Sequence, residues 1–324
     1  MATVADGFPL EGRTALVTGG GGFIGSRLVR ALLEKGFRRV RVLDDLRGGD
    51  PNRIALIGPE VSLVRFELGQ DAPERLAPLL EGADYLFHLA AEKRRWVEPS
   101  PHTLLSSNVT GTHDILSAAG AAGIRKVVFS SSVFAYGRWH SPAMDEEEVP
   151  HPDTLYGISK LAGEHLLHHL TKTTGVPSVT LRYFFVYGPG QVAGRGYRSV
   201  IVETLERLRR GEPPTVYGDG RQALDYVYVD DVVDATLRAV QSKESEAVLN
   251  IGSGEPTVVE DLVSLLARIA GRPAAKRYLP ADETAGTWRV ARIDRARQVL
   301  GWSPRTSLAE GLERTFAWTR ERSG

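Results

Sequence analysis

Tyr156 and Lys160 stand four residues apart at the head of a segment whose pattern predicts a helix over 153–174. Four residues is close to one helical turn, so this spacing puts phenol and ammonium on one face. An ammonium beside a phenol favours the phenolate, which would make the tyrosine a general base near neutral pH. The lysine can also hold a cofactor ribose. Just upstream, the run FSSS (129–132) closes an apolar segment that reads as a strand. Carboxyl ends of strands are where open α/β sheets bind ligands. Ser132 is placed there to donate to a substrate oxygen and to orient Tyr156. Taken alone, serines at a strand end more often satisfy nearby backbone groups.

A second constellation lies near the start. TGGGGFIG (18–25) follows one predicted strand and opens one predicted helix. Gly19, Gly22 and Gly25 are spaced by three, and Gly20, Gly22 and Gly25 also fit a GxGxxG register. Such a loop turns sharply, lets the backbone approach a pyrophosphate, and packs its helix close to its strand. The helix N-terminus then offers N–H donors to the phosphates. A glycine loop alone is weak evidence. The context that strengthens it is an acid ending the next strand, about twenty residues on. Asp44 fills that place, with Asp45 beside it. A carboxylate there accepts from a ribose 2′-hydroxyl and repels a 2′-phosphate, which points to NAD; Arg41 and Arg47 pull slightly the other way.

Both constellations need a scaffold that brings strand ends together. Apolar runs at 14–19, 40–45, 61–67, 85–90, 126–132 and 178–185 read as strands covered on both faces. Helical patterns at 23–35, 73–81, 101–122 and 153–174 alternate with them. Repeated βα units predict right-handed crossovers and an α/β, doubly wound parallel sheet of Rossmann type. Beyond Val186 the pattern changes. GPGQVAGRG (188–196) must be a loop. Helices at 198–210 and 230–242, a strand at 248–251 and two late helices follow. We expect a dinucleotide-binding domain over 1–182, with 225–250 returning to it, and a smaller C-terminal α/β substrate-binding lobe over 183–324.

The chain of 324 residues carries 40 basic and 40 acidic side chains, so no basic excess points to nucleic acid or an anionic membrane. It has no cysteine, which excludes disulfides, thiolate metal sites and cysteine nucleophiles. We expect no metal. No run is apolar enough to span a bilayer. The polar opening, 1–13, has no signal-peptide core, so cytoplasm is the expected compartment.

Taken together, the motifs resemble the extended short-chain dehydrogenase/reductase family, in its NDP-sugar epimerase/dehydratase branch, of UDP-glucose 4-epimerase type. The match runs nearly end to end through TGGGGFIG (18–25), VLDDLRGG (42–49), FHLAA (87–91), NVTGT (108–112), FSSSVFAYG (129–137), YGISK (156–160), LRYFFVYGPGQ (181–191), YVYVDDVVDA (226–235), NIGSG (250–254) and LGWSP (300–304). The resemblance implies Ser132, Tyr156 and Lys160 as the catalytic set. It implies Gly19, Gly22, Phe23, Ile24, Gly25 and Asp44 as NAD contacts, with Tyr156 and Lys160 shared. Glu67 and Leu68 would face adenine, where the family usually has Asp and an aliphatic residue. Leu89, Ala90 and Ala91 would line the pyrophosphate and nicotinamide side. The implied chemistry is redox-neutral: a proton leaves a sugar hydroxyl, commonly O4, and NAD accepts and returns a hydride across a keto intermediate. A homodimer through the helices at 101–122 and 153–174 is the family expectation; AAGAAG (118–123) offers small residues for packing there or within the subunit.

Departures fall in the substrate half. Val133 and Phe134 follow Ser132 where the family's 4,6-dehydratases carry Asp-Glu, so the elimination machinery is missing. Phe185 stands where the family commonly has Asn. In GRQALD (220–225) Leu224 replaces an arginine that grips the diphosphate, and in ARID (291–294) Arg292 replaces an acid. Arg195, Arg221, Arg289 and Arg292 could supply the missing cation, since guanidinium suits phosphate or carboxylate. EKRRW (92–96) puts Lys93, Arg94 and Arg95 after a strand end, as an anion subsite or a solvated loop. The leading expectation is a C4 epimerase of a UDP-hexose or UDP-hexuronate. An NDP-sugar ketoreductase, decarboxylase or 5,6-dehydratase, a non-sugar NAD-dependent dehydrogenase, and a dinucleotide sensor are the alternatives.

Overall fold

The computed structural model describes residues 7–93, 100–137, 143–192, 199–272, 275–282 and 285–321. Seven strands form one parallel sheet: β1 (Thr14–Thr18), β2 (Arg39–Asp44), β3 (Val61–Arg65), β4 (Tyr85–His88), β5 (Lys126–Ser132), β6 (Ser178–Tyr183) and β11 (Glu246–Ile251). Their order is β11-β6-β5-β4-β1-β2-β3. The doubly wound parallel sheet expected from the sequence is therefore present. The chain leaves β1 towards β2 on one side and later returns to β4 on the other. The gap beyond the ends of β1 and β4 is the topological switch point.

Alternation along the strands feeds two separate cores. Val17, Val42, Phe87 and Val128 point to the face covered by α1 (Phe23–Glu34) and α8 (Val229–Gln241). Leu16, Leu43, Leu86, Val127 and Phe129 point to the face covered by α5 (Gly111–Ala121) and α6 (Leu155–Thr174). All seven residues of β5 are buried, the apolar Val127–Phe129 between the faces and the polar Lys126 and Ser130–Ser132 at its ends.

Three details differ from expectation. The run read as one strand over 178–185 ends at Tyr183. Phe184 N–H still bonds Ile251 of β11, but Phe185 N–H bonds Asp225. There the chain leaves the sheet and starts β7 (Phe185–Tyr187), which pairs with β10 (Tyr226–Tyr228). A short helix, α2 (Pro51–Ala55), capped by Asp50, was not anticipated. With α3 (Leu76–Leu80) lying between β3 and β4, the helix read over 101–122 is α4 (Pro101–Leu105), a π-turn at Ser106–Thr110, then α5. Past Val200 come α7 (Val200–Arg209), β8 (Thr215–Tyr217), β9 (Ala223–Leu224), β12 (Thr257–Val258), α9 (Val259–Ile269), β13 (Arg277–Leu279), β14 (Trp288–Arg289), α10 (Asp294–Leu300) and α11 (Leu308–Glu321). Much of this region shares a third core, with Leu205, Leu262, Leu266 and Leu312 at its centre.

The turn after α10 returns to the main sheet's core. Trp302 is fully buried there and donates to the Asp231 carbonyl at 3.0 Å. The Asp231 carboxylate in turn accepts from the Arg305 and Thr306 N–H groups, both at 3.1 Å. We expect Trp302→Ala to cost roughly 3–5 kcal/mol by urea unfolding, without weakening dinucleotide binding to the folded protein. A cost below 1 kcal/mol would mean that this turn does not anchor the C-terminal region.

Candidate active site

Both constellations meet at the switch point. Gly19 makes the turn after β1 with φ +71°, and a Cβ on it would lie 2.8 Å from the Ala90 nitrogen. On Gly25 it would lie 2.1 Å from the Gly19 carbonyl oxygen, and on Gly20, 2.6 Å from Val42. The two glycine registers thus serve one turn: Gly19 supplies the backbone conformation, Gly20 and Gly25 the close packing. Gly22 caps α1 with no side chain over the helix end. The first N–H groups, including those of Phe23, Ile24 and Gly25, have no side-chain cap and can face an anion. A pyrophosphate fits this cradle.

Asp44 ends β2 and is buried. Its carboxylate accepts from Gly21 N–H at 2.9 Å and Leu46 N–H at 2.8 Å. Burial raises its pKa, and the two N–H bonds oppose the rise. Leu46 adopts φ +63°, and Asp50 N–H bonds the Gly21 carbonyl at 3.0 Å. The segment after β2 therefore folds back across the glycine loop. Arg41 is occupied by the Leu79 and Glu81 carbonyls, and Arg47 by Glu67, with Asp45 at 3.9 Å. Neither cation weakens the preference for NAD as the sequence alone suggested. Leu68, by contrast, packs in the core against Gly111.

After β4 the half-buried Leu89, Ala90 and Ala91 run beside the glycine turn. Leu89 N–H bonds the Thr18 carbonyl, and Ala90 N–H bonds the Thr18 hydroxyl at 3.2 Å. His88 bridges the hydroxyls of Thr18 (2.6 Å) and Thr112 (2.9 Å). Its burial, and the positive charge of Lys160, push its pKa down to about 3, so it works as a neutral bridge. Asn108, on the π-turn, is buried and joins three segments. Its amide oxygen accepts from Glu92 N–H at 2.6 Å, and its amide nitrogen donates to the Glu92 carbonyl and the Ser159 hydroxyl. The motif NVTGT carries this Asn in the sequence, but its partners, Glu92 and Ser159, are brought to it only by the fold.

Helix α6 delivers Tyr156 and Lys160 to the end of β5. Thr154 caps it by accepting from Gly157 N–H at 3.0 Å. Lys160 is buried and donates to the Ser130 carbonyl at 2.7 Å, with its ammonium 5.9 Å from the centre of the Tyr156 ring. Ser132 stands beside the Tyr156 phenol, where its hydroxyl favours the phenolate, and it accepts from Phe134 N–H at 3.3 Å. Burial lowers Lys160 to about 7, the nearby Lys93 ammonium pushes the same way, and Glu164 opposes both. The expectation that Lys160 lowers the Tyr156 pKa is corrected. In the protein alone, burial raises that pKa well above the usual phenol range, and the Ser132 hydroxyl only partly opposes it.

Beside the Tyr156 ring the site is aromatic. Phe134 meets the Tyr156 ring edge-on at 5.9 Å and Phe185 at 6.3 Å, and Phe185 meets Tyr226 at 5.9 Å. Of the late arginines, Arg289 reaches this wall; it is buried, with its guanidinium 5.0 Å over Phe134. Arg221 is largely exposed beside Asp219, and Arg292 pairs with Asp145 at 2.9 Å. Lys93 is exposed just after β4 and acts on Lys160; Arg94, Arg95 and Arg195 lie outside the described residues. The GPGQ segment is tied to the dinucleotide side, since Arg27 bonds the Pro189 carbonyl and Arg53 the Gly190 carbonyl.

Residues 15–252 match the model of the NAD dependent epimerase/dehydratase family. The chain belongs to that family. A UDP-glucose 4-epimerase from Mycolicibacterium smegmatis is 35% identical over 95% of this chain and 99% of its own. A UDP-glucose 4-epimerase from Thermotoga maritima, solved with UDP-glucose, superposes with TM-score 0.89 at 34% identity, covering 96% of this chain and 100% of its own. A Bacillus cereus UDP-glucuronic acid 4-epimerase, solved with UDP-glucuronic acid and NAD, gives TM-score 0.86 at 30% identity, over 95% and 99%. The resemblance, the sheet and the cofactor read from the sequence are thereby borne out; the cofactor is NAD.

Gly19→Ala should weaken NAD binding at least tenfold, about 1.4 kcal/mol, because φ is positive and the new methyl meets backbone. Titration calorimetry on the folded variant checks this; unchanged affinity would remove Gly19 from the cradle.

Proposed function

We propose that the protein is an NAD-dependent epimerase that inverts C4 of a UDP-hexose or UDP-hexuronate. The observation that carries this reading is the convergence of Ser132, Tyr156 and Lys160 beside the glycine cradle. Tyr156 takes the proton of the substrate hydroxyl and later returns it. Ser132 shares a hydrogen bond with the same oxygen and keeps the phenol in place. Lys160 supplies positive charge and a donor for the ribose next to the reacting carbon. NAD, when bound, supplies the hydride acceptor and donor. Val133 and Phe134 carry no group that moves a proton, which disfavours elimination.

In this reading residues 1–182 and 225–250 hold NAD, and 183–324 provide most substrate contacts. Glu67 reaches the adenine side. Arg289, beside the aromatic wall, is the favoured anion contact, ahead of Arg221 and Arg292. We also place the protein in the cytoplasm, as a homodimer packed through α4, α5 and α6, where Leu105, Leu155 and Ile158 are exposed. Gly120 packs against Leu170 and Thr174 of its own subunit, so that glycine serves the monomer, while Ala121, Ala122 and Gly123 are exposed.

Purified protein, denatured and filtered, should release near-stoichiometric NAD with none added. It should interconvert one pair of UDP-sugars without external cofactor. Tyr156→Phe should keep the NAD and lose roughly 10²–10⁴ in turnover. Absence of bound dinucleotide, together with turnover only on added NAD(P)H, would replace the epimerase with a cofactor-exchanging dehydrogenase or reductase. Ile158→Asp should convert the dimer to monomer by light scattering on a sizing column; an unchanged mass would rule out this face.

A further inference from the structure

Tyr156, Lys160 and Glu164 are spaced by four along α6, and each meets one of three consecutive serines on β5. Tyr156 stands beside the Ser132 hydroxyl, Lys160 donates to the Ser130 carbonyl, and the Ser131 hydroxyl donates to Glu164. The first two rows are the site described above. The third reaches a buried ion pair. Arg182, beside Ser131 in the register of β5 and β6, donates to both Glu164 oxygens, at 2.9 and 2.7 Å. The two side chains are 5% and 7% exposed. The Arg182 guanidinium lies 4.5 Å over the Tyr136 ring, and the Tyr136 hydroxyl donates to Asn250 of β11 at 2.9 Å.

A buried ion pair of this kind is a poor source of stability, because desolvating two charges costs about as much as their attraction returns. Its location says more. We propose that the Glu164–Arg182 pair is the positioning device for Lys160: it pins the helix turn and the strand end between which the ammonium is held, and it places a negative charge behind that ammonium. The inference rests on reading Lys160 as a working residue of the site. The groups facing Lys160 are few. Its own helix offers Tyr156 and Glu164, β4 offers neutral His88, the segment after β4 offers Lys93, and β5 offers the Ser130 carbonyl and the Phe129 ring at 4.9 Å. Among the described residues, Glu164 is the one carboxylate acting on Lys160. Arg182 acts through Glu164, holding its carboxylate at two points so that it cannot turn away.

The test compares wild type with Glu164→Gln, Glu164→Asp and the double variant Glu164→Leu/Arg182→Met. The double variant removes both charges at similar volume, so it keeps the comparison open if the single change leaves Arg182 unpaired and the protein unfolded. Two readouts are taken: the pH profile of UDP-sugar epimerisation, and the titration of Lys160 in NAD-free protein by NMR of labelled lysine, assigned with Lys160→Arg. A lysine that must be charged loses its function as pH rises through its pKa. Without the carboxylate that pKa falls, so the alkaline limb should move down by roughly one unit. The maximal rate should drop at least tenfold. Glu164→Asp should lower the rate but leave the limb in place. A folded double variant whose Lys160 titration, limb and rate match wild type overturns the proposal. If wild type epimerises no UDP-sugar, the epimerase reading fails, and the Lys160 titration alone still decides for or against the pair.

Discussion

Helix α6 lies so close to β5 and to the turn that follows it, Val133–Ala135, that no side chain fits between them at two points. A Cβ on Gly157 would lie 2.2 Å from the Phe134 carbonyl oxygen, and one on Gly163 would lie 2.5 Å from the Phe129 ring. This approach sets the reach of every functional side chain on the helix. Lys160 meets the Ser130 carbonyl because its backbone is held there. Tyr156 meets Ser132 for the same reason, one turn earlier. Helix and strand are covalently distant, joined by more than twenty residues, so only packing can fix their separation. The rigid, buried strand serves as the reference, and the two glycines let the helix settle on it.

The dinucleotide side is built on the same principle, with backbone against backbone. Gly19 and Gly25 bring the end of β1, the start of α1 and the segment after β4 within contact. Asp44 fastens the segment after β2 over this turn by accepting two N–H groups. Polar side chains then tie the two halves: His88 links Thr18 to Thr112, and Asn108 links the segment after β4 to α6. These buried groups are satisfied, which is what makes them rigid. A small shift of any one element would be felt at the others.

Electrostatics at the site runs against the simple picture of a lysine activating a tyrosine. Burial raises the phenol and lowers the ammonium at once, since both charged forms lose water. The protein answers with neighbours: Ser132 on the phenol and Glu164 near the ammonium. The aromatic wall of Phe134, Phe185 and Tyr226 deepens this dryness beside the phenol. A dry site strengthens each remaining polar contact, which suits proton transfer at a fixed position.

The sequence by itself determined the parallel sheet, the glycine turn and its acid, and the spacing of Tyr156 and Lys160. These features are local: a strand's apolarity, a turn's need for glycine and a helix's four-residue repeat are all legible within a few residues. The tertiary structure decided which distant residues meet. Glu164 reads as an ordinary helix acid until β6 brings Arg182 to it. Arg289, Arg221 and Arg292 read alike until folding buries the first and pairs the other two at the surface. The run at 178–185 reads as one strand until the Asp225 carbonyl takes the Phe185 N–H. Each outcome depends on partners tens of residues away, and pairing at that range is settled by packing and desolvation rather than by local pattern.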